Sequence, residues 1–285
     1  MAGEPGAGLN AAGLNGTGLR EKHTEADLLE DLGRLGVRPG GVLLVQSSLR
    51  SVGPVVGGVD TVVRALRRAL GSEGTLVVYT ATPENSLSSP LHRAATAGLD
   101  PGELARYRAR MPAFDPLLTP SSPTMGRIAE TVRTTPGALR SSHPQTSFAA
   151  LGPKAEWITG SHPLESHLGD DSPLGRLYQA DAQSLLVGIP DWLCTPYHLA
   201  DCRVPRPPMR RYDCVLLDDA GERMWAHFEG VDLSDHHFPV LGAEVRRRVP
   251  FAEGLFGHAG SCLVPIVQAV DAALTCLTAD PRPYS

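Results

Sequence analysis

The chain has 285 residues, 42% of them hydrophobic, and a formal net charge of −5 at pH 7. This length and hydrophobic content suffice for a sizeable buried core, and no apolar run approaches the roughly 20 residues that span a bilayer. The first residues lack the basic-then-apolar pattern of a signal peptide, so we expect a cytoplasmic protein with no membrane partner. The acidic balance argues against a nucleic-acid partner, because phosphate binding needs a basic excess, and it is compatible with a cationic substrate.

The N-terminal residues differ from the rest of the chain. Residues 1–22 repeat Gly, Ala, Asn and Leu without an amphipathic period, which predicts a flexible tail before one domain over 23–285. Thr24 and Asp27 have the spacing of a capping box, and the leucines that follow lie at helical spacing. The first predicted element is therefore a helix over 24–35.

The next elements form a β-loop-α-turn-β unit. A β-rich run over 42–45 is followed by a glycine-rich loop, an amphipathic helix over 61–70 and a second strand over 75–79. Such a unit places two strands side by side in parallel. The predicted fold class is α/β, with a central, largely parallel or mixed sheet flanked by helices.

The remainder alternates a long loop with further elements. Residues 80–123 are rich in Pro and Ser, and an excursion of this length is often functional. Further predicted elements are helices over 103–110, 125–133 and 263–277 and strands over 184–188 and 213–217.

The segment VQSSLRSVGPVVGG, residues 45–58, follows the first strand and precedes a helix. In an α/β sheet this position borders the ligand crevice, and unpaired N–H groups at a helix start favour phosphates. A plain polar loop is the alternative. Neither a P-loop nor a dinucleotide fingerprint is present, so nucleoside triphosphates and NAD are not indicated.

Two further segments contain candidate histidines. In RSSHPQTSFAALG, residues 140–152, Pro144 keeps His143 extended, although a loop histidine is more often structural. In CTPYHLADC, residues 194–202, we predict an N-cap at Thr195 and a short helix on which His198 and Asp201 share a face. A carboxylate beside an imidazole suits a general base that acts on an amine, whereas a purely structural helix is the alternative.

A metal site is the rival interpretation of the second segment. Cys194 falls outside the predicted helix and loses the geometry that His198, Asp201 and Cys202 would share. The five cysteines form no Cys-x-x-Cys pair, and adjacent His236 and His237 would point apart on a strand. We therefore expect no metal and reduced, structural thiols.

The motifs taken in order resemble the aminoglycoside 3-N-acetyltransferase family. The resemblance covers roughly residues 28–278 and includes SSLRSVG, SPL, LLVG and TPYHLAD. Its central part comprises Phe114, Asp115, Pro116, Thr119, Pro120, Ser121, Met125, Gly126, Glu130, Arg133, Pro136, Gly137, Arg140, Ser141, His143 and Pro144.

The resemblance implies an α/β fold distinct from the GNAT acetyltransferases, acetyl-CoA as donor, and the 3-amino group of a 2-deoxystreptamine aminoglycoside as acceptor. His198 is the predicted base, oriented by Asp201, with backbone N–H groups near 47–50 on the thioester oxyanion. Predicted cofactor contacts are Ser47, Ser48, Leu49, Arg50, Ser51, Val52, Gly53, Thr119, Ser121, Met125, Ser141, His143 and Ser147. Acids predicted to hold the cationic rings are Glu84, Asp115, Asp170, Asp171, Glu229 and Asp232.

Two positions depart from the family pattern. Gln46 stands where the family usually has His, and Asp201 where it usually has Glu. These departures keep open an N-acetyltransferase acting on another amine in an antibiotic biosynthetic pathway. A silent acyl-CoA-binding protein and a metal hydrolase are the alternatives from other classes. We expect a monomer or a homodimer.

Overall fold

The computed structural model describes residues 22–279, so the predicted tail, apart from Lys22, lies outside the described residues. The helices are α1 Glu25–Leu35, α2 Leu49–Val52, α3 Gly58–Leu70, α4 Pro90–Thr96, α5 Pro101–Ala109, α6 Gly126–Thr134, α7 Ala155–Thr159, α8 Pro173–Gln179, α9 Tyr197–Arg203, α10 Phe238–Arg248 and α11 Ile266–Ala279. The strands are β1 Val42–Ser47, β2 Thr75–Tyr79, β3 Leu139–Arg140, β4 Phe148–Leu151, β5 Gln183–Val187, β6 Met209–Leu217, β7 Arg223–Val231, β8 Ala252–Phe256 and β9 Ala259–Pro265.

Seven strands form one mixed sheet in the order β3-β4-β2-β1-β5-β9-β8. Strand β1 pairs in parallel with β2 on one side and with β5 on the other, and the outer pairs are antiparallel. The carboxyl ends of three neighbouring strands therefore meet at one edge. In α/β sheets this edge is where ligand crevices form.

The sheet separates two hydrophobic layers. Val42 and Leu44 of β1 belong to one buried cluster, and Leu43 and Val45 belong to the other. Successive strand side chains point to opposite faces, so a continuous apolar run produces a strand buried on both sides. Helices α9, α10 and α11 contribute to the first layer, and α1, α3 and α6 to the second.

Strands β6 and β7 form a separate antiparallel hairpin over nine residue pairs. Its buried Tyr212, Cys214, Ala226 and Phe228 make a third, small cluster. Asn85 connects the hairpin to the long loop, since its side-chain amide donates to the Val215 carbonyl at 2.7 Å and accepts from the Val215 N–H at 2.8 Å. The hairpin thereby becomes a wall beside the carboxyl-end edge of the main sheet.

The long loop after β2 is anchored by partly buried Arg140. The guanidinium donates to the carbonyls of Thr80 and Thr119 and to the Ser147 hydroxyl, and it lies 4.9 Å above the Phe114 ring centroid. Burial lowers the pKa of Arg140 to about 10, which leaves the group charged at neutral pH. Arg140 thus holds both ends of the loop over residues 80–123 against the main sheet.

The predicted elements up to β2 are confirmed. Thr24 and Asp27 form the expected reciprocal cap of α1, and β1 and β2 are parallel neighbours. The helix predicted over 263–277 is wrong at its start, because Ala259–Pro265 is strand β9, paired with β5 and β8. The apolar run continues from strand into helix, so hydrophobicity alone did not mark the boundary.

Across residues 22–279, no helix has both the length and the apolar content needed to cross a membrane.

Candidate active site

Two cavities meet at the carboxyl ends of β1, β2 and β5. The first, here called the strand-end cavity, has a volume of about 330 Å³ and includes Gln46 and Ser47 in its wall. The second, the hairpin cavity, has a volume of about 410 Å³ and reaches Tyr212 and Asp232 beside the β6–β7 hairpin. The residues that line both cavities are Tyr79, Met125, His198 and Asp235.

His198 belongs to a three-residue polar cluster at this junction. Asp201 lies one helical turn further along α9 and brings Oδ2 to 3.3 Å from His198 Nδ1. Its other oxygen, Oδ1, accepts a hydrogen bond from His237 Nε2 at 2.9 Å. A single carboxylate therefore faces two imidazoles. The His198 ring also lies 4.6 Å from the ring of Phe238, centroid to centroid.

The electrostatics keep Asp201 ionised. Asp201 is only 8% exposed, and burial alone would raise its pKa. The contacts with His198 and His237 outweigh the burial and lower the pKa below its ordinary value. A charged carboxylate next to Nδ1 stabilises the imidazolium that forms when Nε2 accepts a proton. The cluster has the chemistry of a supported general base.

The start of α9 differs from the sequence prediction. Thr195 does not cap the helix with its side chain, and the cap position is Pro196. The Thr195 hydroxyl instead accepts a hydrogen bond from Gln46 Nε2 at 2.8 Å. The Thr195 hydroxyl therefore bonds to Gln46, which lies on β1 149 positions earlier, and not to the backbone of the helix that follows it. The prediction that His198 and Asp201 share a face of a short helix is confirmed.

Comparison with known proteins identifies the family. The sequence model of the family described as Aminoglycoside 3-N-acetyltransferase matches residues 44–278. The chain belongs to that family. "Aminoglycoside N(3)-acetyltransferase VIII" of Streptomyces fradiae is 38% identical over 218 residues, covering 74% of this chain and 72% of the relative. This match confirms the predicted family and enzyme class.

Solved structures support the same placement. The crystal structure of the YokD protein from Bacillus subtilis superposes with a TM-score of 0.85 at 31% identity, covering 92% of this chain and 96% of the other. The structure titled "AAC-IIIb binary with CoASH" superposes with a TM-score of 0.77 at 30% identity, covering 90% and 97%. The α/β fold of the acetyltransferase family is confirmed, and acetyl-CoA is its co-substrate.

The loop predicted to bind the cofactor lies only partly at the strand-end and hairpin cavities. Ser47 lines the strand-end cavity. The N–H of the next residue, Ser48, donates to the Val187 carbonyl at 2.9 Å. This N–H group, which we expected near the oxyanion, is therefore already hydrogen-bonded within the protein. Ser51 bonds to Ser48 at 3.0 Å and to Gly188, Val52 is buried in the core, Leu49 is partly buried against it, and Arg50 is exposed.

Gly53, the last residue predicted to contact the cofactor in this loop, occupies a position that requires glycine. Its φ of 84° is in the left-handed region, and a Cβ there would collide with the ring of His258. The Val52 carbonyl accepts from the His258 N–H at 2.9 Å. The loop is therefore fastened to the turn between β8 and β9.

Two central motif residues of the family hold the long loop. The Ser121 hydroxyl and N–H donate to Glu130 Oε2 at 2.8 and 3.0 Å, and Thr119 bonds to the Asp115 N–H at 2.9 Å. Burial opposes ionisation of Glu130, but Arg133 and Ser121 lower its pKa to about 2. Met125, in contrast, lines both cavities. Of these predicted cofactor contacts, Met125 has the placement to meet a ligand at His198.

Ser141, His143 and Ser147 are fully buried. His143 Nδ1 accepts from the Gln145 and Thr146 N–H groups at 3.1 and 3.2 Å, and Nε2 donates to the Leu164 carbonyl at 3.1 Å. Ser141 bonds to His162 at 2.9 Å, and Ser147 bonds to the Thr80 carbonyl at 2.9 Å. Their predicted contact with the cofactor stays a prediction. The hydrogen bonds of His143 hold Gln145 and Thr146, which line the hairpin cavity.

The predicted substrate acids are scattered. Asp232 lines the hairpin cavity and pairs with Arg210 at 2.8 Å. Glu84 lies at a neighbouring cavity and accepts from Ser122 at 2.5 Å, and Asp115 caps the turn at Leu117. Asp171 and Glu229 are exposed, and Asp170 pairs with Arg203 at 2.6 Å. Only Asp232 of the six is placed at the hairpin cavity.

His237, Asp235 and Tyr79 lie at the site but were not predicted from the sequence. His236 and His237 were treated as strand neighbours, but His237 is the cap residue that begins α10. Pro239 in the first turn was an available signal, because proline favours the start of a helix. Tyr79 was placed only as the end of β2, where its hydroxyl-bearing ring reaches both cavities.

No group of three or more His, Cys, Asp or Glu side chains within residues 22–279 is arranged to hold a metal ion. The five cysteines, all within this part of the chain, are free.

Proposed function

We propose that this enzyme transfers acetyl from acetyl-CoA to the 3-amino group of a 2-deoxystreptamine aminoglycoside, in the cytoplasm, and thereby confers antibiotic resistance. The observation that supports it is the position of His198, backed by Asp201, at the junction of two cavities. Two substrates approach such a base from opposite sides. Acetylation removes a positive charge and so weakens binding to ribosomal RNA.

The strand-end cavity is the proposed donor side. Its wall combines the Ser47 hydroxyl with apolar Val45, Met125 and Ile189, which suits a thioester and its pantetheine arm. The first N–H groups of α2 lack helical carbonyl partners, so Leu49 and Arg50 are the proposed amides nearest the donor. Acetyl-CoA supplies the activated acyl group and a thiolate leaving group.

The hairpin cavity is the proposed acceptor side. Asp232 and Asp235 line it together with the hydroxyl-bearing Ser86, Ser88 and Ser234. Carboxylates bind the ammonium groups of a polycationic sugar, and hydroxyls bind its hydroxyls. Because Asp235 lines both cavities, its carboxylate can hold an amine next to His198.

The proposed chemistry is direct transfer. The neutral acceptor amine attacks the thioester carbonyl carbon, a C–N bond forms, and His198 Nε2 takes the proton that the nitrogen loses. The carbon–sulfur bond breaks, and the sulfur departs as a thiolate that is then protonated to the thiol. Ionised Asp201 balances the charge of the imidazolium. His237 holds the other carboxylate oxygen and so orients Asp201.

The test is a thiol-release assay with acetyl-CoA across a panel of kanamycin, gentamicin and a simple amino sugar. We expect turnover with the deoxystreptamine compounds, and NMR of the product should place the acetyl group on the 3-amino nitrogen. Thiol release only with the simple amino sugar, or acetylation at another nitrogen, would contradict the proposal. Binding of CoA without any thiol release would indicate a silent acyl-CoA-binding protein instead.

The departure from the family pattern at Gln46 left a biosynthetic N-acetyltransferase as the second candidate. That side chain lies in the wall of the strand-end cavity and bonds to Leu193 and Thr195. Its position is on the donor side, so the departure from the family pattern bears on the base and the donor more than on the acceptor. The panel assay separates the two candidates. The predicted monomer or homodimer stays a prediction.

A further inference from the structure

Both ends of the Gln46 side chain are engaged. Nε2 donates to the Leu193 carbonyl at 3.0 Å and to the Thr195 hydroxyl at 2.8 Å. Oε1 accepts from the Thr195 N–H at 3.2 Å and from the Ser184 hydroxyl at 3.4 Å. The amide thus uses two donors and two acceptor positions at once, which is the full capacity of the group.

Three of these four contacts reach the segment that leads into α9. Thr195 is only 9% exposed, and its carbonyl accepts from the His198 N–H at 3.1 Å. A short chain of hydrogen bonds therefore runs from Gln46 on β1, through Thr195, to the backbone of His198. The rigid sheet sets the position of the first turn of α9.

The chemistry of the amide matters for this arrangement. A neutral imidazole has one donor and one acceptor, and a carboxylate only accepts, so neither can make all four contacts. An amide also does not titrate. The hold on Thr195 is therefore independent of pH, while His198 itself exchanges a proton.

We infer that Gln46 is a positioning residue, which clamps Leu193 and Thr195 and so aims the His198 imidazole at the junction of the two cavities. The inference rests on the proposed role of His198 as base. Gln46 acts through Thr195 and needs no contact with either substrate.

The first test is kinetic and uses Gln46→Glu, which keeps the shape and removes both donors. A misplaced base costs about 100-fold in kcat, whereas we expect KM for acetyl-CoA to stay within about threefold. Because a protonated carboxyl regains one donor, the ratio of wild-type to variant kcat should narrow as the pH falls from about 8 to about 5. A constant ratio, or a loss confined to KM, would overturn the inference.

A double-mutant cycle tests the route. Gln46→Met and Thr195→Val should each lower kcat, and the double variant should lose little more than either single one, because both remove the same link. Ser184→Ala is the matched control, since it removes the longest Gln46 contact and does not lead to α9; its kcat should stay within about twofold of wild type. Additive losses, or a Ser184→Ala loss as large as that of Thr195→Val, would contradict the route.

NMR of the histidine rings reports the position of the His198 ring without requiring the enzyme to turn over. The His198 ring signals should shift in Gln46→Met and in Thr195→Val, and remain in place in Ser184→Ala, with thermal unfolding showing that each variant is folded. Unchanged His198 signals in a folded Thr195→Val protein would overturn the inference even if Gln46→Met failed to fold. If wild-type protein released no thiol with any aminoglycoside, the proposed function would fail while this measurement still tested the clamp.

Discussion

Residues 22–279 contain two histidine clusters with different surroundings. At the cavity junction, His198 and His237 face the two oxygens of Asp201. Behind the hairpin cavity, His143 lies 4.7 and 4.5 Å from the rings of His162 and His167, centroid to centroid, and the hydrogen-bond partners of these three rings are serine, glutamine and backbone groups.

The carboxylate accounts for the difference. Burial lowers the pKa of His143 to about 4 and that of His167 to about 2, because no negative charge offsets the loss of water. The contacts of Asp201 with two imidazoles instead keep a negative charge beside His198. Burial without a nearby carboxylate leaves a histidine as a neutral packing and hydrogen-bonding group, whereas the proposed base role of His198 requires the carboxylate beside it.

The largest expected effect comes from deleting the base. His198→Ala should lower kcat on the order of 10³-fold, within the range that a positioned general base contributes, with folding intact. Thiol release measured with acetyl-CoA and an aminoglycoside checks this. His227→Ala is the matched control, because His227 is an exposed hairpin residue paired with Asp213. Near wild-type turnover of His198→Ala would reject the base assignment.

The buried cluster of His143, His162 and His167 should affect the free energy of unfolding, and not kcat. The unfolded chain binds a proton at His143 near its ordinary pKa of 6.5, but the folded protein does so only near pH 4. The unfolded state therefore binds more protons between these values, and the free energy of unfolding falls by about 3 kcal/mol from His143 alone as the pH drops through this window. Urea unfolding at several pH values measures it.

Replacement of the ring sharpens this test. His143→Asn should make the free energy of unfolding less dependent on pH between pH 6.5 and 4, leaving the part that His162 and His167 contribute, even though the variant is less stable throughout. The Glu130 carboxyl, with its pKa near 2, loses its contribution only at lower pH and is separable. A wild-type free energy of unfolding that stays constant from pH 6.5 to 4 would contradict the assignment.

An intermediate effect follows from neutralising the carboxylate. Asp201→Asn keeps the side-chain size but removes the charge that balances the imidazolium, so we expect about a 30-fold loss in kcat at neutral pH, part of the factor due to the base. The pH profile of kcat should change with it. If Asp201→Asn retained wild-type kcat, Asp201 would have no place in the mechanism.

The smallest effect is expected at the acceptor side. Asp232→Asn and Asp235→Asn should each raise KM for the aminoglycoside about tenfold, or roughly 1.4 kcal/mol, and leave KM for acetyl-CoA unchanged. Glu156→Gln, an exposed change on α7, is the charge-matched control. An equal rise in KM for both substrates would place these acids outside the acceptor cavity.

Local patterns accounted for the elements whose stabilising contacts are near in sequence. The cap of α1 uses Thr24 and Asp27, three residues apart, and β1 is recognisable because each of its first four residues is buried in one layer or the other. The β9 strand was missed because its apolar run continues into α11 without a break, and one of its two partners, β5, lies more than 70 residues away. Pairing partners at that distance leave no local period.

By itself the sequence determined the family, the α/β class and the pairing of His198 with Asp201, since these depend on ordered motifs and on spacing along one helix. Only the tertiary structure decided that His237 shares the carboxylate, that Asp235 and Tyr79 meet at the same junction, and that Ser141, His143 and Ser147 are buried. It also showed that Gln46 replaces the local cap at Thr195. The physical reason is that a single carboxylate, a cavity or an amide clamp joins side chains from different elements, and their distances are set by the packing of the sheet, the hairpin and the helices.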